Sequence, residues 1–375
     1  MRVAGVLLLS LLIVLASACI SNAPVERTST TSVFPSSSAM PETTFHSQTS
    51  HTPSQVLSNV TSPKVAQQNV TSTTQTTPKG ENSSQIQDVR RPNIFSIRSW
   101  AYWLQNASPR AIAKSGFDLV VMDYSRDGSD EGAYTREEIE MIKRAGVIPI
   151  AYISIGEAED YRFYWKEGWK ENPPKWLGPE NPDWGGNYAV KYWEGDWKRI
   201  VFEYLDKIIA QGFSGVYLDK VDEFEFWGEN GYNEGWTAKQ MIEFILQIAN
   251  YTRSKSGKDF IIIPQNGERL LLYDDGSLLS ILSGWASEDV FYDGLEPSPW
   301  MDEKVPLLDR VVKSGKVVLA VDYVDDGTRS EEDLARIIDF IRKARGRGYI
   351  PYAAFEDREL DRLNVIPGIQ PPTEK

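Results

Sequence analysis

Six polar residues stand where apolar runs of this sequence stop. They are Asp123 after "DLVVM", Glu157 after "PIAYISIG", Asp219 in "GVYLD", Asn266 in "IIPQN", Glu288 in "GWASE" and Asp322 in "VVLAVD". One Asp at such a place is commonly a turn or helix cap. Recurrence at six places points to a shared site. Two carboxyl groups flanking a bond are the equipment for glycoside cleavage. One protonates the leaving oxygen, and the other attacks the anomeric carbon or activates water. The two must come from different segments, and Asp219 and Glu288 satisfy that. Asp289 and Glu296 are rivals for the second place. Asp222, three residues past Asp219, reads as a residue that shapes the loop.

Residue types that are missing narrow the chemistry. Both histidines, His46 and His51, precede the apolar runs, and the single cysteine is Cys19. Ser-His-Asp and Cys-His catalysis, disulfides, and His- or Cys-based metal sites are therefore excluded from the rest of the chain. Metal-dependent deacetylation is disfavoured for the same reason. Acid–base work falls to Asp, Glu, Lys or Tyr. The oxygen-rich stretch "DYSRDGSDEG" (123–132) lacks the spacing of an EF-hand loop. No metal and no cofactor are expected.

Elements that position these groups are legible from Asn93 onward. Strand-like runs occur at 99–104, 118–124, 147–156, 215–219, 260–267, 281–289, 317–324 and 349–355. Their near-continuous apolar character suits parallel strands buried on both faces. Amphipathic helical patterns lie between them at 135–146, 196–212, 237–257 and 330–348. Several open on Thr, Ser or Asp and close on Gly, the usual start and stop signals. Eight such units over about 280 residues predict an α/β fold, a (β/α)8 TIM barrel occupying residues 93–366, with a flexible tail at 367–375. An open doubly wound sheet is the alternative, but no G-x-G-x-x-G or P-loop follows the first strand. Residues at the C-terminal strand ends of a barrel face the active site.

Aromatic residues crowd the segments after those strands. All twelve Trp lie between Trp100 and Trp300, and residues 161–197 form a long Trp- and Tyr-rich insertion after the third strand. Long loops in compact domains are usually functional, and flat rings suit the apolar faces of sugars. Packing accounts for at least half of these rings. The substrate-binding candidates are Trp103, Asp123, Tyr152, Glu157, Tyr217, Asn266, Tyr292 and Asp322. Glu157 either binds substrate or pairs with Arg162. Asn266 either holds a sugar hydroxyl or orients Asp219.

The N-terminus reads differently. Arg2, an apolar run from Val6 to Leu15 and small residues before Cys19 make a secretory signal over residues 1–18. The run is too short to span a bilayer, which needs about 20 residues. "ASAC" resembles a lipobox, with Cys19 as the lipidated residue. Residues 19–92 read as a disordered Ser/Thr-rich stalk, and about half of residues 28–78 are Ser or Thr. Glycosylation sequons at Asn59, Asn69 and Asn82, with others at Asn106 and Asn250, fit an extracellular setting. The net charge is −13. Residues 1–92 carry +2, which leaves −15 on the remainder. Such a body repels nucleic acid and tolerates or attracts a cationic polymer.

"PIAYISIGEAEDYR" (149–162), "GVYLDKVDEF" (215–224), "IIPQNGE" (262–268), "GWASED" (284–289) and "VVLAVDYV" (317–324) resemble the endo-α-1,4-polygalactosaminidase superfamily, glycoside hydrolase family 114 and its prokaryotic extracellular relatives. The resemblance spans roughly residues 95–360. It implies a (β/α)8 barrel with catalytic carboxylates on strands four and six, which fall on Asp219 and Glu288. It places a strand-five Asn on Asn266 and a strand-seven acid on Asp322. Lys220 stands where these enzymes usually carry Asn, and Ser287 precedes Glu288 where Asn is usual.

Together these features describe an extracellular glycosidase, a monomer tethered to the outer face of the cell membrane through its N-terminus. It cleaves a polysaccharide, possibly one containing amino sugars. A second reading is a non-catalytic carbohydrate-binding surface lipoprotein. That protein would keep the aromatic cleft and need no paired carboxylates.

Overall fold

The structure, a computed structural model, describes residues 93–372. The expected signal, stalk and lipidated Cys19 lie outside the described residues. Each of the eight strand-like runs forms a strand: β1 (Trp100–Tyr102), β2 (Leu119–Met122), β3 (Ile148–Ser154), β4 (Gly215–Asp219), β5 (Ile261–Pro264), β6 (Gly284–Glu288), β7 (Val317–Asp325) and β8 (Ile350–Phe355). Every neighbouring pair among these eight strands is parallel. Strands β1 to β5 make one sheet in chain order, and β6 to β8 make another.

Two seams join the sheets. Between β5 and β6, Asn266 N–H donates to the Ala286 carbonyl at 2.9 Å, and Ser283 N–H donates to Ile262 at 3.0 Å. Between β8 and β1, the Trp100 indole donates to the Ile350 carbonyl at 2.8 Å. This mixed α/β arrangement of eight parallel strands is a TIM-like barrel. Its interior is filled by rings. Trp100 lies 5.7 Å from Tyr352, and Tyr102 lies 5.3 Å from Tyr217.

Helices cover the outside where the sequence signals placed them. Helix α2 (Arg136–Arg144) opens on a capping box, with Thr135 and Glu138 bonding each other's backbone N–H. Helix α3 (Gly195–Gln211) ends at Gly212 in the left-handed conformation. Helix α9 (Glu331–Gly346) is capped by Ser330. One start differs from expectation. Helix α5 (Glu234–Ser256) begins at the Asn233 cap, and Thr237 is inside it, donating its hydroxyl to the Phe224 carbonyl at 2.8 Å.

Residues 367–372, expected in a flexible tail, are docked instead. Gln370 is buried, and its amide donates to the carbonyls of Ala353 and Asn364. Asn106 and Asn250 are exposed. Among the described residues, no helix is long and apolar enough to cross a membrane.

Tyr217, a cleft candidate in the sequence, is instead part of the barrel interior. It is fully buried, and its hydroxyl has no hydrogen-bond partner. Period-2 alternation puts it one layer below Asp219 on the same strand. An unpartnered buried hydroxyl costs stability. The Tyr217→Phe variant is therefore expected to unfold at a higher temperature, gaining about 1 kcal/mol, with unchanged catalytic activity. Calorimetry alongside an activity assay checks this.

Candidate active site

A cavity of roughly 710 Å³ opens at the C-terminal ends of the strands. Asp219, at the end of β4, and Glu288, at the end of β6, both line it. Burial, then the Glu288 charge, push the Asp219 carboxyl up to about 7. The two half-buried carboxylates thus feel each other across the cavity. Near neutral pH, a pair coupled in this way holds a proton on one member.

Each acid is held by neighbours. The Tyr152 hydroxyl donates to Asp219 Oδ2 at 2.7 Å. Glu288 accepts from the Tyr323 hydroxyl at one oxygen and from the Asn266 amide, 3.0 Å away, at the other. The Asn266 side-chain carbonyl also accepts the Glu288 backbone N–H at 3.0 Å. Asn266 therefore orients Glu288, and not Asp219 as the sequence suggested. Lys304 donates to the Glu288 carbonyl at 2.7 Å.

The chain turns sharply at these strand ends. Lys220, Asn266 and Asp289 have φ of 59°, 55° and 50°. Non-glycine residues in this left-handed region cost of order 1–3 kcal/mol each and persist where the surroundings over-determine them. Gly156 shows how tight the packing is. A Cβ there would lie 2.0 Å from the Lys220 carbonyl oxygen, so no other residue fits between the ends of β3 and β4.

A second tier of buried charge braces the wall. Glu157 pairs with Lys220 at 3.0 Å and accepts from Asn181 at 2.7 Å and Asn187 at 3.2 Å. It does not pair with Arg162. Arg162 instead joins Asp123 and Glu159, at 2.6 Å each. Burial raises the Asp123 carboxyl, and Arg162 opposes that shift. Asp123 and Glu157 line the cavity as expected, but both are committed to these pairs.

Three other expectations fail. Asp322 is fully buried away from the cavity. It accepts the backbone N–H groups of Val290, Phe291 and Tyr292 at 2.8–2.9 Å, and burial still pushes it up to about 7. It shapes the turn after β6. Tyr292 points to Asp339, its hydroxyl 2.7 Å from that carboxylate. Trp103 is half-buried, bonded to the Gln105 carbonyl, and does not line the cavity.

The remaining acids are now separable. Asp289 is clamped through both oxygens by Arg358 at 2.9 and 3.0 Å, so it is not free to replace Glu288. Glu296 is exposed and outside the cavity. Asp222 does line the cavity, with one buried oxygen unpartnered. Glu223 is buried beneath Lys220 and pushed up to about 9 by burial, while Glu225 pairs with Arg269 at 3.2 Å. In the 123–132 loop, Asp127 is used by Ser125 and Ser129 to fix the turn.

Sequence reasoning missed Tyr323, Arg358 and Trp184. Tyr323 follows Asp322, so a period-2 count along β7 would have put one of them inside and one outside. Arg358 stacks 4.2 Å over the Tyr323 ring. Trp184 lines the mouth and is 59% exposed. Its loop is pinned by Asn187 N–H to the Trp184 carbonyl at 3.1 Å and by Gly186 N–H to Glu180 at 2.7 Å. Its indole thus presents a flat, exposed face at the mouth of the cavity.

The family model for glycoside-hydrolase family GH114 matches residues 79–370. The chain belongs to glycoside hydrolase family GH114. Protein MJ1477 of Methanocaldococcus jannaschii is 64% identical over 269 residues, covering 71% of this chain and 78% of that protein. A Thermotoga maritima protein is 53% identical over 277 residues, covering 73% and 85%. Among solved structures, the glycoside hydrolase domain of PelA from Pseudomonas aeruginosa matches with TM-score 0.56 at 19% identity, covering 72% of this chain and 98% of that one. Aspergillus fumigatus Ega3 in complex with galactosamine matches with TM-score 0.54 at 15% identity, covering 74% and 97%. These two share the fold. Family membership makes the barrel a glycosidase.

The bond from Tyr152 favours ionised Asp219, so its loss raises that carboxyl further. In Tyr152→Phe, the pH–rate limb belonging to Asp219 is expected to move to higher pH by roughly one unit. A kcat/KM profile from pH 4 to 9 checks this.

Proposed function

We propose that this (β/α)8 barrel hydrolyses an amino-sugar polysaccharide by a two-carboxylate mechanism, with Asp219 and Glu288 as the catalytic residues. The observation that carries the reading is the placement of both carboxyls in one cavity, where burial and then the Glu288 charge raise Asp219 to about 7. A carboxylic acid is then available beside a carboxylate at neutral pH. The acid protonates the glycosidic oxygen as the bond to the anomeric carbon breaks. The carboxylate attacks that carbon or activates water. Tyr152, Tyr323 and Asn266 keep the two groups aimed.

The amino-sugar assignment rests on charge. Eight carboxylates line the cavity against four cations, Arg126, Arg162, Lys220 and Arg358. Such a concave acidic surface concentrates cationic substrate. The galactosamine in the Ega3 complex agrees with this chemistry. The same proposal extends to location. Cys19 carries a lipid after removal of residues 1–18, and the 19–92 stalk holds the monomeric barrel outside the cell. A carbohydrate-binding protein without activity would not require the coupled pair.

The decisive experiment is reducing-end release from an α-1,4-linked galactosamine polymer by the full chain. Asp219→Asn and Glu288→Gln are expected to lose on the order of 10³-fold in kcat/KM. Full activity in either variant overturns the mechanism. A separate comparison tests the charge argument. N-acetylation of the polymer, or 0.5 M salt, is expected to raise KM with a smaller effect on kcat.

A further inference from the structure

Outside the lining of the cavity, three aromatic side chains meet at the surface. Trp193 lies 5.0 Å from both Tyr232 and Trp236, and the Tyr232 and Trp236 rings are stacked at 5.9 Å with a 15° interplanar angle. Tyr232 is 36% and Trp236 41% exposed. The cluster is supported from below by Trp227, which is buried and packs 5.7 Å from Trp193 and 5.6 Å from Tyr232. Trp227 is itself fixed by its indole N–H, which donates to the Val190 carbonyl at 2.9 Å. Gly178 is moulded to it, since a Cβ there would lie 3.0 Å from the Trp227 ring. The rings above are therefore held in place before any ligand arrives.

Their polar edges are unused. Trp100, Trp197, Trp227 and Trp285 each donate the indole N–H to a backbone carbonyl. Among the described residues, no hydrogen-bond partner is found for the Trp193 or Trp236 indole N–H or the Tyr232 hydroxyl. A flat apolar face with donors at its rim matches a pyranose, whose C–H faces are apolar and whose hydroxyls point outward. Glu194 and Glu229, close in sequence to these rings, have no ion-pair partner among the described residues, and the Lys191 ammonium is occupied 5.6 Å over the Trp227 ring. Such unpaired anions suit a cationic sugar.

Position ties the cluster to the catalytic face. Trp193 immediately precedes α3, and Tyr232 and Trp236 flank the start of α5. These helices follow β3 and β4, so their N-termini stand on the face of the barrel where the strand ends lie, the face to which β4 brings Asp219 and β6 brings Glu288.

We propose that Trp193, Tyr232 and Trp236 form a second carbohydrate site, which holds a segment of an amino-sugar polymer outside the catalytic cavity. The inference builds on the proposed substrate class. It raises effective concentration at the cleft without touching the reacting bond, so it acts on long chains and not on short ones.

Affinity electrophoresis in gels containing an α-1,4-linked galactosamine polymer tests it without requiring hydrolysis. The wild-type chain and Asp219→Asn are expected to be retarded. A Tyr232→Ala/Trp236→Ala variant is expected to lose most retardation and to show about tenfold higher KM on polymer, with kcat/KM on short oligosaccharides unchanged. Trp236→Phe, which keeps a ring, should recover most of the binding. If the wild type is retarded but cleaves nothing, the hydrolysis proposal fails and the binding site stands. Equal retardation of wild type and double variant overturns the site. So does absence of retardation in the wild type, or equal loss on short and long substrates.

Discussion

Two like charges facing one cavity govern this molecule. Asp219 and Glu288 share one cavity, and burial, followed by the Glu288 charge, lifts Asp219 to about 7. Left to themselves, two such carboxyls would rotate apart, and hydrogen bonds from neighbouring strands prevent it. Tyr152 fixes one, and Tyr323 and Asn266 fix the other. These donors come from β3, from β7 and from just past β5, so the geometry of the pair depends on the register of most of the barrel.

The same constraint explains the backbone. Lys220, Asn266 and Asp289 all turn through the left-handed region immediately after the strands that deliver the site. Their conformational cost is offset by what surrounds them. Lys220 is pulled toward Glu157, Asn266 is bonded twice to Glu288, and Asp289 is clamped by Arg358. Asp322 holds the turn after β6 with three backbone N–H groups. Lys220 also sets the charge around the site. It adds a cation that neutralises Glu157, anchors the wall and partly offsets the charge near Asp219.

Aromatic residues divide into three populations by partner. Interior rings such as Trp100 and Tyr217 fill the barrel, and Trp197 and Trp227 lock loops through backbone carbonyls. Trp184, Trp236 and Tyr232 remain exposed. Burial and bonding sort them, whereas residue type does not. This is why Trp184 could not be told from Trp103 by residue type and position alone.

All eight strands were legible from chain order and apolar pattern, because strand burial imposes a continuous apolar run whatever its neighbours do. Asp219 and Glu288 were legible for the same reason, as carboxylates ending such runs, and so was the exclusion of histidine chemistry. Which face of a strand looks into the cavity was not. Asp322 and Tyr323 differ by one residue, and the pleat sends one to a turn and the other to Glu288. Nor could the sequence show that Glu157 finds Lys220 or that Arg162 finds Asp123, since those pairs join segments 63 and 39 residues apart. The sequence determined which groups were available and on which strands. Tertiary structure decided which of them face each other, because charge pairing and side-chain direction are set by distances that exist only once the barrel has closed.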